Sequence, residues 1–77
     1  GAALERVGQF AAAETLYATG AARWPDNWLW QFGLANARYS RGELRGARQA
    51  LRQARQIDPT IPEVRANLAQ VERELRG

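Results

Sequence analysis

An internal repeat constrains the fold of this 77-residue chain more than any other feature of its sequence. Pro25 and Pro59 are 34 residues apart, and so are Gly8 and Gly42. The same offset relates further pairs of similar residues: Phe10 with Leu44, Ala13 with Ala47, Tyr17 with Leu51, Gly20 with Ala54, Leu34 with Leu68, and Ala35 with Ala69. A fixed period of this length is typical of proteins built from stacked helical units.

Each unit is predicted to contain two helices joined by a turn. In the complete unit, the side chain of Asp26 or Asn27 can accept hydrogen bonds from the free N–H groups at a helix start. Gly42 is expected to end that helix in the left-handed conformation. Glu43 is expected in the first turn of the second helix, where its charge suits the helix dipole. Asp58-Pro59 ends this helix, since a residue before proline disfavours the α conformation.

Apolar residues recur at spacings of three and four along these segments, which places them on one face of each helix. The predicted buried stripes are Phe10, Ala13, Tyr17 and Gly20; Trp30, Leu34 and Ala37; Leu44, Ala47, Leu51 and Ala54; and Val64, Leu68, Val71 and Leu75. The pattern predicts one short helix over 2–7, ended by Gly8, and four longer helices, the first of them over Phe10–Ala22. Leucine at Ala13 or Ala47 is expected to destabilise the fold far more than leucine at Ala50, because the first two lie on the predicted buried stripes and Ala50 does not.

These residues resemble the tetratricopeptide repeat family over the whole chain. The period matches, the segment from Gly42 to Pro59 is similar to the family's second helix, and Leu34-Ala35 and Asn67-Leu68-Ala69 are similar to its first-helix signature. Gln31 and Arg38 depart from the pattern, since aromatic residues are usual at both places. The resemblance implies an all-α fold, an α–α superhelix (solenoid) in which antiparallel helix pairs stack in a right-handed sense.

The same comparison divides the single expected domain into the end of one repeat (1–25), a full repeat (26–59) and the first helix of the next (60–77). The last helix carries an apolar stripe without a following helix to cover it, and repeat arrays normally end in polar capping helices. We therefore expect self-association, as a symmetric dimer joined through a terminal helix. A marginally stable monomer is the alternative.

Composition excludes most catalytic chemistry. The chain lacks cysteine and histidine. It has 11 basic residues, all of them arginine, and 8 acidic residues. We expect no enzymatic activity, no metal site, no cofactor and, without 18 consecutive apolar residues, no membrane span. Arginine without lysine suggests GC-rich coding and a bacterial source. The absence of cysteine fits cytoplasm and periplasm equally.

The function that the resemblance implies is protein–protein interaction, as a scaffold or adaptor. In that family the first helices line a groove that binds peptides, and here the corresponding residues would be Leu29, Phe32, Asn36, Tyr39, Glu63, Ala66, Gln70 and Arg73, with Ala2 and Glu5 from the short helix. Asn36 and Gln70 could bond a peptide backbone. Alternatively, Phe32 and Tyr39 only pack between helices. Binding of acidic C-termini is disfavoured, since Leu29, Phe32 and Glu63 replace the basic residues of the family's carboxylate clamp.

Two other surfaces are candidates for partners. A basic stripe of Arg45, Arg48, Arg52 and Arg55 shares one helix face and could meet an anionic partner, either a nucleic acid or an acidic protein. Nucleic acid is not expected, because four arginines on one helix are a small contact surface for it. The alternative is a solvated face that Glu72 or Glu74 of the following helix partly neutralises. The tryptophans Trp24, Trp28 and Trp30 form either a packed joint between repeats or an exposed contact for a partner. A purely structural joint in a larger protein is the remaining alternative.

Overall fold

The computed structural model describes the backbone of residues 2–77, together with the side chains of residue 9 and residues 11–77. Its helices are α1 (Ala2–Arg23), α2 (Trp28–Ser40), α3 (Leu44–Ile57) and α4 (Pro62–Arg76), joined by turns of three or four residues. The prediction of an all-α fold is confirmed. High alanine content and the absence of proline beyond the first turn of any helix favour these four segments.

The helix starts and stops follow most of the predicted signals. Asn27 caps α2, and its Oδ1 accepts a hydrogen bond of 3.1 Å from the N–H of Leu29. Pro62 occupies the first turn of α4, where its missing N–H leaves no hydrogen bond unmade. Asp58 has an extended backbone immediately after α3, as its position before proline requires.

The turn between α2 and α3 depends on one glycine. Gly42 has a φ of 81°, in the left-handed region predicted for it. Its N–H donates to the carbonyl of Tyr39, and the N–H of Glu43 donates to the carbonyl of Arg38, each at 2.9 Å. These two bonds form a Schellman motif, which satisfies the last carbonyls of α2. Since α3 begins at Leu44, Glu43 precedes the helix, and the prediction that it lies in the first turn is wrong.

The predicted break at Gly8 is also wrong, because α1 is one continuous helix of 22 residues. Glycine inside a helix costs about 1 kcal/mol relative to alanine but does not end it unless the backbone turns away. The Ala-rich sequence on both sides of Gly8 favours continuation. Phe10, predicted to be in the core, lies outside the described side chains, as do Ala2 and Glu5 of the predicted groove.

Contacts between neighbouring helices show how the four are arranged. The ring of Trp30 lies against Gly20 and that of Tyr17 against Gly33, so α1 and α2 run antiparallel. Short turns make α3 antiparallel to both α2 and α4, against which it packs. As a result α2 and α4 run parallel, and their first residues, Trp28 and Pro62, are 34 positions apart. The Cα atoms fill a flat slab of 40 × 34 × 16 Å.

The core lies where α2, α3 and α4 meet, and it contains most of the predicted stripes. Its buried residues are Leu34, Ala35, Ala47, Ala50, Leu51, Ala54, Val64, Leu68 and Val71. Ala50 is only 1% exposed, whereas Ala13 is half-buried, so the expectation that Ala50 would tolerate leucine better than Ala13 is wrong. The reason is that α3 packs on two sides, which makes its buried face wider than a single stripe.

The last helix does not expose the apolar stripe that was expected to drive self-association. Val64, Leu68 and Val71 are buried in the core that α4 shares with α3, and the residues that α4 exposes are mostly charged or small. The basis for association through α4 is therefore removed. Association through α1, where Leu16 is 60% exposed, stays a prediction that light scattering would test.

Candidate functional site

A cleft of about 160 Å³ opens between the parallel helices α2 and α4. Its floor is apolar and consists of the buried residues Ala35, Leu51 and Val71. Its walls carry polar side chains, namely Asn36, Tyr39, Asn67 and Gln70. Such a site offers a small apolar depression surrounded by groups that both donate and accept hydrogen bonds.

One hydrogen bond ties the two walls of the cleft together. The phenol of Tyr39 donates to Oε2 of Glu74 over 2.7 Å. This bond to a carboxylate raises the pKa of Tyr39 above its ordinary value of 10.0, desolvation adds to the rise, and the Gln70 amide acts in the opposite direction. The bond fixes one edge of the cleft and leaves the amides of Asn36 and Asn67 beside it.

The structure brings together only part of the predicted groove. Asn36, Tyr39 and Gln70 share the cleft, whereas Ala66 and Arg73 are exposed and do not line it. On α4 the stripe that meets α2 is Asn67, Gln70 and Glu74, with Glu63 one turn earlier. Sequence reasoning missed Asn67 and Glu74, although their spacing of three and four around Gln70 marks them as one helix face.

The two apolar residues predicted at the start of this groove differ in their surroundings. Phe32 is half-buried against the core, and its ring meets that of Trp28 edge-on with 5.6 Å between centroids. Phe32 therefore takes part in packing, and its contact with a bound peptide stays a prediction. Leu29 is 55% exposed in the first turn of α2, on the face that also carries Asn36.

An ion-pair cluster joins α2 to α1 and α3. Nε of Arg38 donates to Oε1 of Glu14 over 3.2 Å, and Arg41 bonds the other oxygen of the same carboxylate. Nη1 of Arg38 also donates to the carbonyl of Gly46 over 3.1 Å. Arg38 thus connects α1, α2 and α3 at the place where the family pattern has an aromatic residue.

Burial alone would raise the pKa of Glu14. The hydrogen bonds from Arg38 and Arg41, together with their positive charges, outweigh burial and hold the pKa below the ordinary value of 4.5. Glu14 therefore stays ionised at neutral pH, and the cluster keeps its ionic character there.

Two of the three tryptophans form a packed joint. Trp28 packs on the core, and the ring of Trp30 lies between Tyr17 and Trp24, with centroid distances of 6.4 and 5.4 Å. Trp24 remains 50% exposed, although it stacks on Trp30 and approaches the guanidinium of Arg23 at 5.3 Å. The first of the two interpretations, a packed joint, therefore describes Trp28 and Trp30. Trp24 is the tryptophan whose ring is accessible to a partner.

The basic stripe lies on α3, and none of its four arginines lines the cleft. Arg45, Arg52 and Arg55 are exposed, and Arg48 is half-buried. Nη2 of Arg52 is 3.9 Å from Oε1 of Glu72, which agrees with the expected partial neutralisation by this residue. Glu74 is bonded to Tyr39 instead.

Comparison with known proteins gives a family. None of the helices described is long and apolar enough to cross a bilayer. No curated protein and no solved structure matches the chain. A family model for the tetratricopeptide repeat matches residues 1–62, which is most of the sequence. Together with the helical fold, this match shows that the chain belongs to the tetratricopeptide repeat family, whose members are generally protein–protein interaction modules and typically non-catalytic scaffolds.

Proposed function

We propose that the chain binds a segment of a protein partner in the cleft between α2 and α4. The observation that carries the proposal is the juxtaposition of three exposed or half-exposed amides, Asn36, Asn67 and Gln70, over an apolar floor. Each amide offers both donors and acceptors, as a peptide backbone requires of its partner. The Tyr39–Glu74 hydrogen bond supports the proposal because it orders the edge of the site before a ligand arrives.

The size of the cleft favours a peptide side chain over a small-molecule ligand. Sites for drug-sized ligands have volumes of roughly 300–1,000 Å³, well above the 160 Å³ found here. A single apolar side chain can enter the depression while the neighbouring backbone bonds the amides. Leu29, exposed about two turns before Asn36, extends the apolar surface along α2.

The repeat boundaries proposed for this function follow the helices. We propose that 26–59 is one repeat, containing α2 and α3, with α1 ending the preceding repeat (1–25) and α4 beginning the next (60–77). In this arrangement α2 and α4 are successive first helices. The cleft then corresponds to the junction between two repeats.

A peptide selected against the chain would test the site. A random peptide library is displayed against the wild-type protein, and the selected peptide is titrated calorimetrically against Asn36→Ala, Gln70→Ala and the control Gln53→Ala. Gln53 is an exposed amide on α3, away from the cleft. We expect the two cleft variants each to weaken binding by about 1–2 kcal/mol and the control to leave it unchanged. Equal affinities for all three variants would contradict the proposed site.

A further inference from the structure

The arginines of α3 and α4 form a larger basic surface than the stripe alone. Glu72 contacts Arg52, which fixes the side of α4 that borders the stripe. Arg65 lies seven residues before Glu72 and Arg76 four after it, so both share that side of the helix. The surface, here called the basic face, consists of Arg45, Arg48, Arg52 and Arg55 of α3 with Arg65, Glu72 and Arg76 of α4.

Charge is concentrated on this face. Six arginines and one glutamate give it a formal charge of +5, whereas the whole chain carries +3, so all other residues together carry −2. The neighbouring acidic side chains are directed to other partners. Glu43 is 3.5 Å from Arg41, Asp58 accepts hydrogen bonds from Thr60, and Glu74 bonds Tyr39 in the cleft.

The face is suited to a flexible anionic chain rather than to a membrane or a nucleic acid. Among the described residues, the large exposed apolar side chains are Leu16, Trp24, Leu29 and Tyr39, all on α1, α2 or the turn between them. The basic face therefore lacks the apolar anchors that interfacial membrane binding uses and the aromatic platforms that hold single strands. From Arg45 to Arg55 the stripe is about 15 Å long. Specific binding of a DNA duplex buries a larger area of protein surface than a stripe of this length offers.

We propose that the basic face binds an acidic polypeptide segment, rich in Asp and Glu, independently of the cleft. Charge complementarity between an acidic segment and a face of +5 carries the interaction. Arginine can hold each carboxylate through two parallel hydrogen bonds. Because the arginines of the stripe are mostly exposed, binding should weaken strongly with added salt.

The test uses a fluorescein-labelled twelve-residue polyglutamate peptide and a labelled twelve-base-pair DNA duplex, titrated with the folded chain by fluorescence anisotropy. We expect the peptide to bind at low salt and to bind more tightly than the duplex at physiological salt. The double variant Arg45→Glu/Arg55→Glu should weaken peptide binding about tenfold or more. The control Arg23→Glu/Arg73→Glu makes the same charge change elsewhere on the surface and should weaken it less than about threefold.

A variant that is expected to bind more tightly is needed, because weaker binding alone could also result from loss of folding. Glu72→Gln removes the one acidic residue of the basic face and should tighten peptide binding about twofold or more, since like charge then no longer opposes the ligand. Failure of the wild-type chain to bind the peptide would overturn the proposal, as would tighter binding of the duplex or equal effects of the two double variants. The cleft variant Asn36→Ala should leave peptide binding unchanged, which separates this proposal from the function proposed for the cleft.

Discussion

The indole ring of Trp30 occupies the space where a side chain on Gly20 would lie. A Cβ atom built on Gly20 would be 2.3 Å from two carbons of that ring. Trp30 cannot easily yield, because Tyr17 and Trp24 flank it. The close approach of α1 and α2 therefore depends on the absence of a side chain at this position.

Gly20→Ala is expected to destabilise the fold even though alanine is the better helix former. Overpacking costs about 1–3 kcal/mol, which exceeds the gain of about 1 kcal/mol in helix propensity. Urea denaturation measures the difference. In the Trp30→Leu background the same substitution should become neutral or stabilising, and an equal cost in both backgrounds would show that the Trp30 contact is not its cause.

Ala47→Leu and Ala50→Leu are each expected to lower the free energy of unfolding by about 1–3 kcal/mol, because both alanines are buried where α3 meets other helices. Ala69→Leu is the matched control on the exposed side of α4 and should change it by less than about 0.5 kcal/mol. Thermal or urea melts of the three variants provide the comparison. If Ala50→Leu behaved like Ala69→Leu, α3 would not pack on two sides.

The sequence pattern predicted α2, α3 and α4 well because their ends carry glycine and proline, whose backbone properties differ from those of all other residues. Gly42 is needed at a positive φ, Pro59 cannot continue α3, and Pro62 fits a helix only in its first turn. Gly8 carries no such requirement. Glycine therefore ends α2 at Gly42 but lies inside α1 at Gly8, and the local sequence does not distinguish these two cases.

The site was harder to predict than the fold, since it depends on how α4 is rotated against α2. Helical spacing correctly placed Asn36 and Gln70 on one surface. It could not decide whether the stripe through Gln70 continued to Arg73 or to Glu74, one residue apart and about 100° around the helix. The Tyr39–Glu74 hydrogen bond resolves this choice, because it joins residues from two helices.

Stability should depend on pH through Glu14. A carboxylate whose pKa is lower in the folded than in the unfolded chain stabilises the fold above its unfolded pKa, and this contribution is lost as the pH falls through the folded pKa. Glu14→Gln should therefore be less stable than the wild type at neutral pH, with the difference disappearing below the ordinary value of 4.5. Urea melts of both proteins across this pH range measure the difference in the free energy of unfolding. Asp26→Asn, which changes an exposed residue in the turn between α1 and α2, is the control. A difference that persists unchanged in acid would contradict the role assigned to Arg38 and Arg41.

The Tyr39–Glu74 hydrogen bond should be detectable in the absorbance titration of tyrosine. Tyrosine ionisation, followed by ultraviolet absorbance at alkaline pH, should contain a component that titrates above 10.0. Tyr39→Phe should remove that component, and Glu74→Gln should return it towards the ordinary pKa, because the bond to a carboxylate is then absent. An unchanged titration in Glu74→Gln would show that the two side chains are not bonded in solution.

Binding of a protein segment in the cleft between α2 and α4 should be visible in the side-chain amide resonances of the chain. Asn36, Asn67 and Gln70 report on the cleft, whereas Gln49, Gln53 and Gln56 report on the exposed side of α3. Addition of a library-selected peptide to the ¹⁵N-labelled protein should shift the first three amide pairs and leave the second three unchanged. Shifts confined to the α3 amides, or to the indole N–H of Trp24, would contradict binding of the peptide in the cleft.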